Sequence, residues 1–373
     1  MSVTYARINI SNFLHNLAAV KKLTGKKICM AAKADCYGHG SEMLVKAGAE
    51  SGLLDAAGVA DIGEGIRMRQ SGINIPILVF RGCMEPDFPL LVDYNIQPFV
   101  SDLQYVQMLE KCVAEKGRHL SVHLKIDSGM SRAGCRPEDA LELAKYIAGS
   151  PCLTLEGVCT HFAVADSLAK ECVADTKKQI RIFDKCVRDI KNAGIEVKTV
   201  HCAASGAILG YPETYYDMVR PGIILYGYPP SREYAGRLDL RPVMDFVSHV
   251  ILVKKIKKGE KVSYGFIWKA MQDTYIAVVG AGYADGYNRL MSNQGKVTIG
   301  GNSYPVVGRI CMDQFMVDLG ENSAGVRVGD ETVLFGSGEN TMDAFDTAEV
   351  CGTISYELLC NINKRVPRVY ING

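Results

Sequence analysis

No Cys-x-x-Cys pair occurs in the 373 residues, although thirteen cysteines are scattered from Cys29 to Cys360. An odd count without metal-ligand spacing fits neither a disulfide framework nor a zinc cluster, so a reduced, cytoplasmic setting without a metal site is expected. An excess of one charge is also missing. The 42 Lys+Arg and 41 Asp+Glu leave a net charge of +1, too little to mark a nucleic-acid or anionic-membrane partner. The one basic run, Lys254, Lys255, Lys257 and Lys258, is followed by Glu260 and reads as a solvated strand end. No stretch approaches the roughly 18 apolar residues of a membrane span, and the start, MSVTYARINISNF, lacks the charged-then-apolar order of a signal peptide. Absent too are Gly-x-x-x-x-Gly-Lys-Ser/Thr, Gly-x-Ser-x-Gly and His-Glu-x-x-His, which weighs against nucleotide kinases, serine hydrolases and zincins.

What is present suits a large folded core. Hydrophobic residues make up 48% and charged residues 22%, and the length allows two domains, or one barrel with an addition. From about residue 28 to 228 short apolar runs alternate with amphipathic stretches: ICMAA, AAGVA, IPILVF, QPFVS, LSVHLKI, LEGVCT, VKTVHC and a last run near DMVRPGIILYG. Eight strand-helix units suggest a closed (β/α)8 TIM-type barrel, with an open doubly wound sheet as the alternative. Leu14, Leu17 and Val20 sit at helical spacing behind Ser11, a candidate N-cap. Beyond YPPSREYAGRLDLRP the rhythm changes to strands without helices, from VMDFVSHVILVKKI to ETVLFG, which predicts a mainly β C-terminal domain. The boundary falls where Pro229, Pro230 and Gly236 interrupt both patterns, giving domains 1–236 and 237–373.

Several polar residues stand where core strands should be apolar. Lys33, in CMAAKADCYGHG, follows a strand and precedes a glycine turn. It is either a strand-end lysine snorkelling to solvent or, at a barrel mouth, an amine whose lowered pKa makes it a Schiff-base nucleophile. In VHLKIDSGMSRAG the trio His123, Lys125 and Asp127 alternates with Val122, Leu124 and Ile126. The trio faces the solvent on an edge strand, or it faces the barrel interior, where Lys125, Asp127 and Arg132 would form a network around an anion. His161 ends the sixth strand, Ser205 lies in the turn after the seventh, and Arg220 precedes a Pro-Gly opening able to offer backbone N–H groups to a phosphate. Cys36, beside Lys33, and Cys311 are candidates for oxidation sensitivity.

Together AAKADCYGHG, HLKIDSGMSRAG, THFAVAD, HCAASGA, VRPGIILYG, VSYG, GYADGYNR, GRICMDQFMVDL and SYELLCNINKRVPRVY, in that order along nearly the whole chain, resemble the alanine racemases of the fold-type III pyridoxal phosphate family. The resemblance implies a (β/α)8 barrel, a C-terminal β domain and a head-to-tail homodimer whose active sites each combine one barrel with the partner's second domain. It implies interconversion of L- and D-alanine, with pyridoxal 5'-phosphate as cofactor, supplying D-alanine for peptidoglycan. Lys33 would hold the cofactor as a Schiff base and handle the D-enantiomer's proton, while Tyr264, from the other subunit, would handle that of the L-enantiomer. Two such groups are what racemisation needs, since a proton leaves one face and returns to the other.

The same resemblance places Arg220 against the pyridine nitrogen, which would then stay unprotonated, and His161 beside the ring, linking Arg220 to the tyrosine. Tyr37, Ser205, Gly222, Ile223 and Tyr356 match phosphate-binding positions. Arg132 matches the arginine near the cofactor's phenolic oxygen and the substrate carboxylate; the backbone N–H of Met312 would also bind that carboxylate, with Asp313 beside it. Lys125 matches a lysine often carbamylated in this family, and Tyr283, Tyr356 and Tyr264 would narrow the entrance to suit a methyl side chain. One departure is visible: family members often read His-x-Ala-Asn-Ser at the phosphate turn, and here Ala204 replaces that Asn. The competing functions are a racemase for serine or a larger amino acid, a decarboxylase on the same scaffold, and a non-catalytic cofactor-holding protein.

Overall fold

A computed structural model describes residues 3–372, which divide into two compact units. One comprises Leu14–Cys36 and Ser41–Leu240; the other takes the chain up to Phe13, Tyr37–Gly40 and the chain from Arg241 onward. The second unit thus claims β1 (Tyr5–Asn9) and the Tyr37–Gly40 segment, which a linear division at 236/237 gives to the barrel. The reason is non-local pairing, invisible to a reading of neighbouring residues.

The first unit is the parallel barrel. Its strands are β2 (Lys27–Ala31), β3 (Ala56–Val59), β4 (Ile77–Val79), β5 (Gln97–Val100), β6 (Leu120–Lys125), β7 (Leu153–Cys159), β8 (Thr199–His201) and β9 (Met218–Val219). They run β8-β7-β6-β5-β4-β3-β2-β9, and Asp217 N–H to Val200 C=O (3.1 Å) and Arg220 N–H to Ala203 C=O (2.7 Å) tie the two ends together. All eight runs expected from the sequence are therefore barrel strands. Cys29, Ala56, Leu78, Phe99, Cys159 and Met218, one from each of six strands, form a buried layer of the core. Gly58 in β3 is required by this packing, because a Cβ there would lie 1.9 Å from Phe80 Cζ.

The connecting helices follow elementary capping rules. Asp61 and Asp102 accept the backbone N–H groups of Glu64 and Tyr105 at the starts of Ile62–Gln70 and Leu103–Glu115. Leu103–Glu115 buries Val106, Leu109 and Val113 at helical spacing, each such side chain worth about 1.5–3 kcal/mol. The first helix, Ile10–Thr24, is capped by Asn9, whose Oδ1 accepts from Asn12 N–H (3.1 Å). Ser11, the expected cap, instead donates to Asn372 C=O.

The second unit is built on β1 and on β10 (Met244–Ile256), β11 (Lys261–Val262), β12 (Trp268–Lys269), β13 (Thr274–Val279), β14 (Lys296–Ile299), β15 (Asn302–Val307), β16 (Phe315–Gly320), β17 (Glu331–Phe335) and β18 (Arg368–Ile371). The pairings β10–β13–β16–β15–β14–β17–β10 form a closed antiparallel ring. Closure removes the exposed edges that an open sheet would leave. β1 joins β10 antiparallel and β18 parallel. Two helices near the end, Ala344–Val350 and Ser355–Cys360, interrupt what the sequence pattern reads as strands alone.

Candidate active site

In the barrel unit, the polar side chains singled out from the sequence gather at the carboxyl ends of the strands. Lys33 follows β2, Lys125 ends β6, His161 follows β7, Ser205 follows β8 and Arg220 follows β9. β2 and β9 are hydrogen-bonded neighbours, with Ile28 opposite Val219, and Ala31 N–H donates to Pro221 C=O at 2.9 Å. The ladder therefore brings the Lys33 and Arg220 backbones out at the same end of adjacent strands.

Lys33 is exposed and opens an unusual turn. Ala34, Asp35, Cys36 and Tyr37 all have φ between 52° and 54°, a left-handed helical turn that costs roughly 1–2 kcal/mol per residue. Around it, Cys36 N–H donates to Ala32 C=O (2.9 Å), Ala34 N–H to Glu64 Oε1 (2.7 Å) and Ser41 N–H to Asp35 Oδ1 (2.7 Å). Backbone held in this region against its preference is characteristic of functional segments. Burial pushes the Cys36 thiol well above its ordinary value, favouring its protonated form.

Arg220 is buried and heavily anchored. Nη1 meets His201 Nδ1 and His201 C=O, both at 2.7 Å, while Nη2 donates to Thr160 C=O (2.6 Å) and Cys202 C=O (3.3 Å). Nε is left as the donor without a protein acceptor among the described residues. The imidazole hydrogen-bonded to Arg220 is thus His201. His201 belongs to HCAASGA, where attention to Ser205 had hidden it; the only sequence signal is a histidine ending an otherwise apolar strand. His201 Nε2 lies 3.0 Å from His123 Nδ1, and His123 Nε2 lies 3.0 Å from Gln97 Oε1.

His123 and Lys125 are buried, as expected of an interior-facing pair, whereas Asp127 engages its own loop. Its Oδ1 accepts the backbone N–H groups of Gly129 (2.9 Å), Met130 (2.9 Å) and Ser131 (3.1 Å). Partial burial opposes ionisation, yet these donors hold the carboxyl below its usual value and fix the loop leading to the exposed Arg132. Burial, opposed by Cys159 and reinforced by Arg220 and Arg132, lowers the Lys125 amine. At the turn after β8, Ser205 begins the helix Ser205–Gly210 and is buried; its Oγ accepts from Gly222 N–H at 3.0 Å, next to Ile223. Ala204 makes no capping bond there.

The barrel histidines make acid sensitivity predictable. Burial first, and then Arg220, lowers His123 to about 3 and holds His161 and His201 well below the ordinary value. An unfolded chain takes up protons on these rings near pH 6.5 that the folded chain refuses. Their contribution is therefore complete above about pH 6.5 and is lost as pH falls toward the folded values, at about 1.4 kcal/mol per pH unit for each histidine. The urea midpoint should fall steeply from pH 6.5 to about pH 5; a flat midpoint over that range would show the rings to be protonated in the fold.

In the second unit, Tyr37 and Tyr356 pack with ring centroids 5.7 Å apart. Gly38 must be glycine, since its φ is +80° and a Cβ would lie 2.4 Å from Leu359 O. Tyr264 begins a short 3-10 turn (Tyr264–Phe266) and is 73% exposed, Met312 is 53% exposed and Tyr283 43%. Tyr283 N–H donates to Cys311 C=O and Ala284 N–H to Met312 C=O, so the two loops lie side by side. Sequence reasoning missed what clamps them: Arg365 Nε donates to Asp285 Oδ1 (2.8 Å) and Nη2 to Asp313 Oδ1 (2.7 Å). The Asp313 carboxylate is thus committed to Arg365.

A parallel barrel with an amine, a fixed guanidinium and neutral imidazoles at its strand ends has the architecture of a barrel enzyme. Residues 8–230 and 243–370 match the family models "Alanine racemase, N-terminal domain" and "Alanine racemase, C-terminal domain". The chain belongs to the alanine racemase family. Relatives include the alanine racemase of Treponema denticola, 44% identical with 100% of this chain and 99% of the relative covered, and that of Clostridium novyi, 40% identical with 99% and 95% covered. Among solved structures, the alanine racemase of Clostridium difficile 630 superposes with a TM-score of 0.93 at 38% identity, covering 100% of this chain and 96% of that one. The Streptomyces lavendulae enzyme gives 0.94 at 32% identity, covering 100% and 98%.

Proposed function

We propose that this pyridoxal phosphate-dependent alanine racemase works as a homodimer in the cytoplasm, with Lys33 and Tyr264 as its two acid/base groups. The observation that carries the reading is the emergence of Lys33 and the anchored Arg220 from paired strands β2 and β9. The donor set fits the cofactor: an exposed amine able to hold its carbonyl carbon, a guanidinium nitrogen without a protein acceptor, and a buried hydroxyl beside backbone donors suited to a phosphate. When bound, the cofactor supplies an electron sink that makes the Cα–H of alanine acidic enough to remove.

The chain's own groups do the rest. Lys33 Nζ serves the D-alanine face of Cα and Tyr264 Oη, from the partner, serves the L-alanine face. Arg220, with Nε not taken by the protein, would serve the pyridine nitrogen without yielding a proton, and His161 would lie beside the ring. Ser205 and the Gly222–Ile223 backbone of the barrel unit would hold the phosphate, and Tyr37 and Tyr356 match the family's further phosphate-binding positions. Arg132 and the N–H of the partner's Met312 bind the substrate carboxylate. Lys125, its amine lowered by burial, is suited to carbamylation, which turns a cation facing Arg132 into an anion that positions it. Tyr283, Tyr356 and Tyr264 narrow the entrance to suit a methyl side chain.

The dimer is supported by the exposure of Tyr264, Met312 and Tyr283 in the single chain, together with that of Phe266 and Met271. Thirteen scattered cysteines without a Cys-x-x-Cys pair suit a reducing cytoplasm, and a D-alanine supply for peptidoglycan is the role that follows. Chiral analysis of L-alanine, L-serine, L-lysine and L-ornithine, each incubated with the cofactor-loaded protein, tests the reading. Rapid D-alanine formation with little turnover of the others is expected; preference for another amino acid would overturn the entrance assignment, and no racemisation would overturn the function.

The clamp at Arg365 gives a further expectation. Arg365→Ala releases Asp285 and Asp313, loosening the loop that presents the Met312 N–H. The KM for alanine should rise about three- to tenfold with a smaller change in kcat, as read from initial rates; an unchanged KM would detach Met312 from substrate binding.

A further inference from the structure

The hydrogen-bond chain behind Arg220 admits only one direction. A guanidinium can only donate, so His201 Nδ1, 2.7 Å from Arg220 Nη1, must be bare. The proton of neutral His201 then sits on Nε2 and is donated to His123 Nδ1 at 3.0 Å, which in turn must be bare. His123 therefore carries its proton on Nε2 and donates it to Gln97 Oε1 at 3.0 Å. The terminal group, a side-chain carbonyl, is the kind of acceptor that ends such a series.

Packing holds the two rings in place. The two imidazoles meet edge to face at 85° with centroids 5.0 Å apart, and Phe99 lies 5.8 Å from each. Gly157 in β7 leaves room for His123: a Cβ there would stand 2.2 Å from His123 Nδ1 and 2.9 Å from Thr199 O.

We infer that His123 and Gln97 are positioning residues for racemisation, locking His201 in the Nε2–H tautomer and so orienting the Arg220 guanidinium with Nε toward the pyridine nitrogen. This rests on Arg220 serving that nitrogen. Two substitutions separate the lock from ordinary packing. His123→Phe keeps an aromatic ring but strands the His201 Nε2–H without an acceptor, whereas His123→Asn returns an acceptor near the Nδ1 position.

The experiment combines 15N NMR of histidine-labelled protein, without cofactor near pH 7, with racemisation kinetics of the loaded enzyme. In the native protein His123 and His201 should both show a pyridine-type Nδ1 and a pyrrole-type Nε2. His123→Phe should shift the His201 signals toward mixed tautomers and lower kcat about tenfold or more with KM nearly unchanged; His123→Asn should restore both. A pyrrole-type Nδ1 in the native protein, or unaltered His201 signals in folded His123→Phe, would overturn the lock. Should His123→Phe not fold, the native spectrum and His123→Asn still decide. Arg220→Lys isolates the underlying reading: an unchanged kcat there removes the role of Arg220, while the tautomer spectra independently judge the chain behind it.

Discussion

Replacing Lys33 by Ala should reduce racemisation by at least about 10³-fold, because one side chain is asked both to hold the cofactor and to serve one face of Cα. The fold should be unaffected. Lys33 is exposed at the end of β2, whereas the left-handed turn behind it is held by backbone bonds and by the carboxylates of Glu64 and Asp35. Circular dichroism should therefore match the native protein, while the visible absorbance that survives gel filtration of the loaded enzyme should disappear. Retained absorbance with normal kcat would exclude Lys33 as the anchor. Retained absorbance with lost turnover would separate anchoring from proton transfer.

Tyr264→Phe should lower racemisation in both directions by roughly 10²- to 10⁴-fold, the range for a positioned acid/base group. The deletion of one hydroxyl from a 73% exposed side chain leaves the core untouched, so stability should not change. The two-base arrangement predicts an asymmetry that a general loss of function does not. With Lys33 intact, D-alanine should still exchange its α-proton with deuterated solvent while keeping its configuration, and L-alanine should not exchange. Proton NMR in D2O reads both. Equal exchange of the two enantiomers would assign both faces to one base.

The barrel was legible because a strand buried on both faces must be apolar over its short length, and eight such runs recur between amphipathic stretches. Motif residues were placed correctly at strand ends for the same reason. What escaped was set by pairing between distant residues. β1 belongs to the second unit through β10 and β18, some 240 and 360 residues away. Arg220 could have met any histidine near the mouth, and only the register Cys159↔His201 between β7 and β8 shows which strand end carries its partner. The alternation of Asp127 with Lys125 is apparent in the sequence, whereas the turn at 129–131 that engages its Oδ1 depends on backbone geometry. Arg365 was present in a quoted motif, yet nothing local connects it to Asp285 and Asp313. The left-handed turn at 34–37 had only Gly38 and Gly40 as heralds.

The central claim, a two-base racemase whose sites are shared between subunits, is tested most directly by a hybrid dimer of Lys33→Ala and Tyr264→Phe subunits, purified through two different tags and assayed for D-alanine formation. If Lys33 of one subunit works with Tyr264 of its partner, one site of the hybrid carries both defects and the other carries none. The account predicts about half the native activity per dimer, where each parent variant has almost none. A hybrid as inactive as its parents would place Lys33 and Tyr264 of the same chain in one site and contradict the shared arrangement.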